Sequence, residues 1–313
     1  IVWTDSLQTL FMLLAVGVTI YQIGDQLDLS FGGMADLIYQ SDYSNTFFFD
    51  DWRSGKFFWK QFFSGAFITI VMTGLDQDMM QKNLSCRNLK VAKWNMFSLS
   101  GVLILVNLFF LSLGALLFLY AQKTGVAVPE RADDFFPEVA LSGQLGIAAA
   151  IFFVLGLIAA AYSSADSALT ALTTSVCIDF LGVDKKPEEQ GVRLRKRVHV
   201  LMSLVLFIVI LLFSLISDES VISSLFKAAG YTYGPLLGLY AFGLMHKHLV
   251  KDNFVPILCA VCPIITYVIN YNSVAWLNGY QFGFEIIILN GLLTYIGLHV
   301  LRSRGLESEA VKI

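Results

Sequence analysis

Long apolar runs are the feature that most constrains how this chain can fold. Charged residues make up only 14% of the sequence and apolar residues 56%, whereas a typical soluble domain is about 25% charged. Runs of about 20 apolar residues suit helices that cross a bilayer, and they favour a helical bundle over a barrel. The sequence therefore predicts an all-α polytopic membrane bundle of about eight transmembrane helices, at residues 4–23, 58–80, 97–120, 144–178, 198–217, 222–245, 253–271 and 281–301.

The basic residues between these runs predict an orientation. Fifteen of the 21 Lys and Arg residues lie in the loops after the second, fourth and sixth runs and in the C-terminal tail. Because Lys and Arg concentrate in cytoplasmic loops, we expect both ends of the chain to be cytoplasmic, in a plasma (inner) membrane. On this interpretation residues 1–313 form one transmembrane domain, with a cytoplasmic linker at 179–197. The extracellular loop at 24–57 could cap a permeation path or be a passive connector.

The stretch "AAAYSSADSALTALTTS" at 159–175 is unusually polar for a membrane helix. Its hydroxyl and acidic side chains recur every three or four residues, so they line one helix face. Hydroxyls and main-chain carbonyls are oxygen ligands that a hard monovalent cation can use. The alternative is ordinary helix packing, with each hydroxyl bonded to a carbonyl of its own helix. The members of this face are Ser163, Asp166, Ser167, Thr170 and Thr174.

Ionisable residues inside the apolar runs are a second signal. At mid-bilayer each costs roughly 2.5–3.5 kcal/mol, so each calls for a partner, a cavity or an ion. Asp5 lies at a depth compatible with the inner half of the polar helix, where a carboxylate would suit a second cation site. An interfacial Asp5 that reaches water is the alternative.

The second run, "FSGAFITIVMTGLDQDMMQKNL", predicts a discontinuous helix. Gly74 lowers helix propensity and is followed at once by Asp76, Gln77 and Asp78. Interrupted helices expose backbone groups to substrates in many transporters. Asp76 and Asp78 could instead be acids at an ordinary helix end.

Lys227 lies inside the sixth run, "SSLFKAAGYTYGPLLGLYAFGL". It could reach the outer surface, or face inward and offer a donor to an oxygen-rich or anionic solute. The "YGPLLG" segment that follows can kink or flex.

Four local patterns together resemble the sodium:solute symporter family, whose members include sodium/sugar, sodium/proline and sialic acid transporters. They stand in the family's order, and the resemblance covers essentially the whole chain. The patterns are "VWTDSLQTLFML" at 2–13, "GLDQDMMQKNLSCRN" at 74–88, "AAAYSSADSALTALTTSVCIDFL" at 159–181 and "GYTYGPLLGLYAFGL" at 230–244.

The resemblance implies the five-plus-five inverted-repeat fold of leucine-type transporters. The first predicted span would be the last helix of the first repeat, spans two to six the whole second repeat, and spans seven and eight accessory helices. We therefore expect this chain to be a fragment that lacks the first four core helices.

The resemblance also implies sodium sites. The family's principal site uses a carbonyl that matches Ala160 and hydroxyls that match Ser163 and Ser164. A second site in some members matches Asp5, Ser163 and Ser167. Asp166 stands where those members place another serine, which leaves open whether an ion, a proton or a salt bridge occupies that place.

For the solute, Met72 and Thr73 stand where sugar-transporting members have a Tyr-Trp pair, and Thr69 matches their Asn one turn earlier. Phe226 and Lys227 stand near the glutamine used in the sixth span. With Asp76 in the interrupted helix, these residues indicate a small polar or anionic organic solute such as a sugar, sugar acid or amino acid.

We therefore predict sodium-coupled symport by alternating access. Sodium, a small organic solute and the lipid bilayer are the expected partners, with no enzymatic activity and no nucleic acid. Two other classes stay open: a membrane sensor module, and a polytopic membrane enzyme that uses paired intramembrane acids, for which Asp5 with Asp166 is geometrically possible.

Overall fold

A computed structural model describes residues 2–216, 221–246 and 248–302, with the backbone alone at residues 2–5, 77–78, 81–82 and 216. Over these residues the chain forms helices, and its one extended pairing is an isolated antiparallel bridge between Val250 and Arg302. The all-α class is confirmed, while the five-plus-five arrangement stays a prediction. The helices are α1 (Val2–Gln26), α2 (Phe31–Tyr39), α3 (Phe58–Gly74), α4 (Gln77–Leu84), α5 (Leu89–Thr124), α6 (Ala132–Leu141), α7 (Gly146–Ser175), α8 (Glu188–Ile216), α9 (Val221–Met245), α10 (Val255–Tyr271), α11 (Ser273–Trp276) and α12 (Ile286–Val300).

Five described helices are long and apolar enough to cross a membrane, which supports a multi-pass membrane protein. They match the first, third, fourth, fifth and seventh predicted spans. Gly234–Met245 and Ile286–Val300 are shorter apolar helices within the sixth and eighth spans. The second span corresponds to α3, a helix of 17 residues, so the count of eight stays a prediction. The five long segments are Ser6–Gln26, Leu89–Thr124, Gly146–Phe180, Glu188–Leu215 and Asp252–Tyr271.

The loops contain more helix than the sequence suggests. The predicted extracellular loop at 24–57 holds the end of α1, all of α2 and a 3-10 turn at Asp42–Ser44. Helix α8 begins at Glu188, so the second half of the predicted linker at 179–197 is helical. Local caps explain two of the helix starts: Ser30 accepts a hydrogen bond from the Gly33 N–H, and Asn88 accepts one from the Val91 N–H.

The chain divides into two compact units, and its description as one transmembrane domain stays a prediction. The first unit comprises Ile1–Ser44 and Gln81–Ser220, and the second comprises Asn45–Met80 and Val221–Ile313. One boundary therefore falls inside α4. The first unit has a core that includes Ile23, Leu116 and Phe135, and the second has a smaller one around Val71, Leu237 and Ile287.

Candidate functional site

Helices α1 and α7 pack against each other in the first unit, antiparallel and nearly backbone to backbone. A Cβ atom added to Gly156 would lie 3.4 Å from the Met12 Cα. One added to Gly146 would lie 3.0 Å from the Gln22 Nε2. Ten residues along α7 therefore correspond to ten residues back along α1. At the far end the Gln26 side chain donates a hydrogen bond to the Gln144 carbonyl, which is consistent with this register.

Continued beyond Met12 and Gly156, this register pairs the positions of two predicted sodium ligands. Seven residues back from Met12 is Asp5, and seven residues on from Gly156 is Ser163. Ser163 is only 8% exposed and continues the buried stripe of α7 that includes Phe153 and Gly156. The Asp5 backbone is part of α1, but its side chain lies outside the described residues. The continued register is consistent with a shared site, which stays a prediction.

The other predicted ligands lie at different depths on α7. Ala160 is partly buried and lines an apolar groove between α1 and α7 with Met12 and Phe153. Ser167 and Asp166 are partly buried, and Ser164 is exposed on the first unit. Their roles as ligands stay predictions.

The C-terminal part of the polar face is partly used by protein contacts. The Thr174 hydroxyl donates to the Thr170 carbonyl at 2.7 Å, which is the helix-packing alternative given above. The Thr173 hydroxyl lies 3.2 Å from the His199 Nδ1 of α8. After Ser175 the helix widens into a π-turn at Val176–Phe180. The hydroxyls of Thr173 and Thr174 are therefore engaged in contacts within the protein.

The predicted interruption in the second run is present. Helix α3 ends at Gly74, and Leu75 and Asp76 separate it from α4. The Asp76 Oδ1 accepts a hydrogen bond of 3.1 Å from the Met79 N–H, so Asp76 caps the start of α4. The interruption therefore arises from a low-propensity glycine followed by a side chain that starts a new helix.

The predicted solute residues around this break differ in their exposure and in their hydrogen bonds. Met72, Thr73 and Asp76 are partly buried. Thr69 is exposed, and its hydroxyl donates to the Gly65 carbonyl of its own helix. The Asp78 side chain lies outside the described residues.

Helix α9 carries the remaining solute residues, in the same unit as α3. Lys227 is exposed. The Phe226 ring lies 5.2 Å, centroid to centroid, from the Phe284 ring. Leu75, beside Asp76, and Tyr233 of α9 pack against the same core of Val71, Leu237 and Ile287. The break after α3 and the middle of α9 thus lie near each other.

A cluster around Lys60 was not predicted. The Lys60 ammonium lies 3.2 Å from both the Arg53 and Gln281 carbonyl oxygens, 3.5 Å from the centre of the Tyr280 ring and 3.8 Å from the Glu285 Oε1. The Tyr280 hydroxyl donates to the same carboxylate at 3.0 Å. Burial, followed by the charge of Glu285, raises the pKa of Tyr280. The sequence shows these charges at the ends of apolar runs, but it does not show that the two loops meet.

Asn290 was also missed. It is fully buried in α12 and faces α9. Its signal in the sequence is a lone amide within the apolar run "IIILNGLL".

Comparison with known proteins gives one informative similarity. No family model matches the chain. The chain is similar to the sodium/sialic acid symporter SiaT of Proteus mirabilis (strain HI4320), with 22% identity over 264 residues that cover 79% of this chain and 51% of that protein. The chain thus spans about half the length of this curated relative. The similarity supports a sodium:solute symporter-type family at most.

Proposed function

We propose that the protein containing this chain is a sodium-coupled secondary active symporter of a small polar or anionic organic solute, working by alternating access. The observation that carries the proposal is the close antiparallel register of α1 and α7, which, continued beyond Met12, pairs the Asp5 position with the buried Ser163. A carboxylate, hydroxyls and main-chain carbonyls are oxygen ligands suited to a hard cation. The similarity to a sodium/sialic acid symporter supports sodium as that cation.

The proposed ligands belong to two sodium sites. The Ala160 carbonyl accepts a helical hydrogen bond with one lone pair and keeps a second for an ion. The Ser163 and Ser164 hydroxyls would complete this side of the principal site. Asp5, Ser163 and Ser167 would form a second site, with Asp166 as a further ligand or counter-charge. Sodium binding would then favour one state of the protein, and by reciprocal linkage sodium and solute would tighten each other's binding.

The proposed solute site lies at the break after α3 and on α9. Its residues would be Thr69, Met72, Thr73, Asp76, Phe226 and Lys227. The exposed ammonium of Lys227 favours a solute that carries a carboxylate or many oxygens. Sialic acid has both of these features. It is the first probe to use because the similar symporter is named for it.

The membrane placement and the wider fold belong to the same proposal. Both ends of this chain would be cytoplasmic, in the inner membrane. The helices would form one part of a five-plus-five inverted repeat, with α10 and α12 as accessory helices. The charge distribution among the loops supports this orientation.

The decisive experiment is Ser164→Ala in the natural protein, reconstituted in liposomes. Uptake of labelled sialic acid should require an inward sodium gradient, and the variant should need about tenfold more sodium for half-maximal uptake, the loss expected for one ion ligand. Sodium-dependent thermal stabilisation, measured with potassium as the reference, tests the ion site without any solute.

Ser100→Ala is the matched control, because Ser100 is exposed on α5 and its hydroxyl donates only to the Met96 carbonyl. This control should behave as the wild type. An unchanged sodium requirement in Ser164→Ala, by both measurements, would falsify the proposed ion site.

A further inference from the structure

Helix α9 contains an internal proline, and this leaves a main-chain acceptor without its helical donor. Pro235 has no N–H group, so the Tyr231 carbonyl, four residues earlier, cannot form its normal helical hydrogen bond. Inside a protein the freed carbonyl needs another donor, which a neighbouring helix can supply.

Asn290 of α12 supplies this donor. Its Nδ2 lies 2.8 Å from the Tyr231 carbonyl oxygen and 3.2 Å from the Gly230 carbonyl oxygen. Both partners are acceptors, so the amide nitrogen and not the oxygen must face α9. The Asn290 Oδ1 is buried and has no hydrogen-bond partner among the described residues. The free-energy cost of burying this amide is therefore offset only by the hydrogen bonds that its nitrogen donates.

The packing around Asn290 is built for this contact. A Cβ atom on Gly234 would lie 2.4 Å from the Asn290 side chain, so only glycine leaves room for the amide. Asn270 of α10 donates to the Tyr231 hydroxyl at 2.7 Å. Tyr231 is thus held at its main chain by one asparagine and at its side chain by another.

We propose that Asn290 is a positioning residue that fixes the geometry of α9 at Pro235. This inference rests on the proposed function for its purpose, since the part of α9 before Pro235 carries Phe226 and Lys227. With Asn290 in place, that half of the helix keeps one direction relative to α12. Without it, the proline would act as a loose joint, and the two candidate solute residues would lose their fixed location.

The test measures the geometry of α9 across Pro235 directly. Spin labels at Ile222→Cys and Leu244→Cys, both exposed sites on α9, flank Pro235 and are about 33 Å apart along an ideal helix. The native cysteines, of which this chain has four, are first replaced in the natural protein. Distances are then recorded by pulsed electron paramagnetic resonance without sodium or solute, so failure of the transport proposal leaves this test intact.

The wild type should give one narrow distance distribution, and Asn290→Ala should broaden it. Pro235→Ala restores an N–H for the Tyr231 carbonyl, so in that background Asn290→Ala should leave the distribution narrow. Thr294→Ala is the matched control: Thr294 is buried one turn away against Gly238, but its hydroxyl donates within α12, to the Asn290 carbonyl. It should open a similar cavity without broadening.

Two results would overturn the inference. One is an unchanged distribution in Asn290→Ala, and the other is equal broadening in the Pro235→Ala background. If Asn290→Ala yields no folded protein, the double variant with Pro235→Ala should recover it; failure of the double variant while Thr294→Ala folds counts against the proposal.

Discussion

Two helix pairs, α1 with α7 and α9 with α12, pack closely through glycine, one pair in each unit, and their polar residues do different work. Helix α7 is continuous, so its main chain needs no help from the hydroxyls of its polar face. Helix α9 is interrupted by Pro235, and the buried amide of Asn290 completes its hydrogen bonding. Before a polar side chain in a membrane helix is treated as a candidate ligand, one should check whether it forms a hydrogen bond that a neighbouring backbone group lacks.

The largest predicted effect on stability comes from the close approach of α9 and α12. Gly234→Ala forces a methyl group to within 2.4 Å of Asn290, and we expect it to lower the free energy of unfolding by about 2–3 kcal/mol. Gly243→Ala, on the same helix with nothing within 4 Å, is the control and should be neutral or slightly stabilising. Thermal unfolding of the purified protein in detergent measures both.

The same substitution in the other pair sharpens the comparison. A Cβ on Gly156 would make contacts of 3.4 Å and longer with α1, which the helices can accept with little movement. We expect Gly156→Ala to change the free energy of unfolding by less than about 1 kcal/mol. If Gly156→Ala proves as damaging as Gly234→Ala, then the two pairs do not differ in the way described.

Asp76 tests whether one side chain can both cap a helix and contact the solute. Asp76→Ala removes the cap of α4 and should cost about 1 kcal/mol, whereas Asp76→Asn keeps an acceptor and should cost close to nothing. If the carboxylate also contacts solute, both variants should lose uptake despite their different stabilities. Uptake that follows stability alone would restrict Asp76 to capping. Thermal unfolding and transport are measured on the same preparations.

The smallest effect concerns pH at one end of the α9 and α12 pair. The His246 Nε2 lies 2.7 Å from the Tyr295 hydroxyl, with His248, His299 and Arg302 nearby. Burial, then the charges of His299, His248 and Arg302, lower the pKa of His246. The fold therefore favours the neutral ring, and its contribution to stability is present above the ordinary histidine pKa and lost as pH falls below it.

This predicts a small decrease in the unfolding temperature between about pH 7.5 and about pH 5.5. His246→Gln keeps a partner for Tyr295 but does not titrate in this range, so it should flatten that part of the profile. Identical profiles for the two proteins would mean that His246 does not contribute.

Much of the helical layout could be predicted from the sequence, because apolar length and glycine placement act locally. The long helix from Gly146 and the break after Gly74 follow from such signals. The start of α8 at Glu188 could not, since a charged segment can continue a helix beyond the membrane as readily as end it.

Contacts between distant segments were the part that sequence could not supply. The periodicity of α7 indicates that Ser163 and Ser167 share a face, but only packing shows that Ser163 is buried and that Gly156 of the same helix lies against Met12 of α1. The need for a donor near Pro235 is visible in the sequence, whereas its source, 55 residues away on α12, is not. Ligand roles require the bound state and stay predictions.

The Lys60 cluster has a consequence for how the second unit responds to its surroundings. The cation between the Arg53 and Gln281 carbonyls is covalently part of the chain, so its local concentration does not depend on the medium. A free alkali ion in that position would be bound only to the extent that its concentration exceeded the dissociation constant of the site. The ammonium of Lys60 cannot diffuse away, so the two loops keep a cation between them without drawing one from solution.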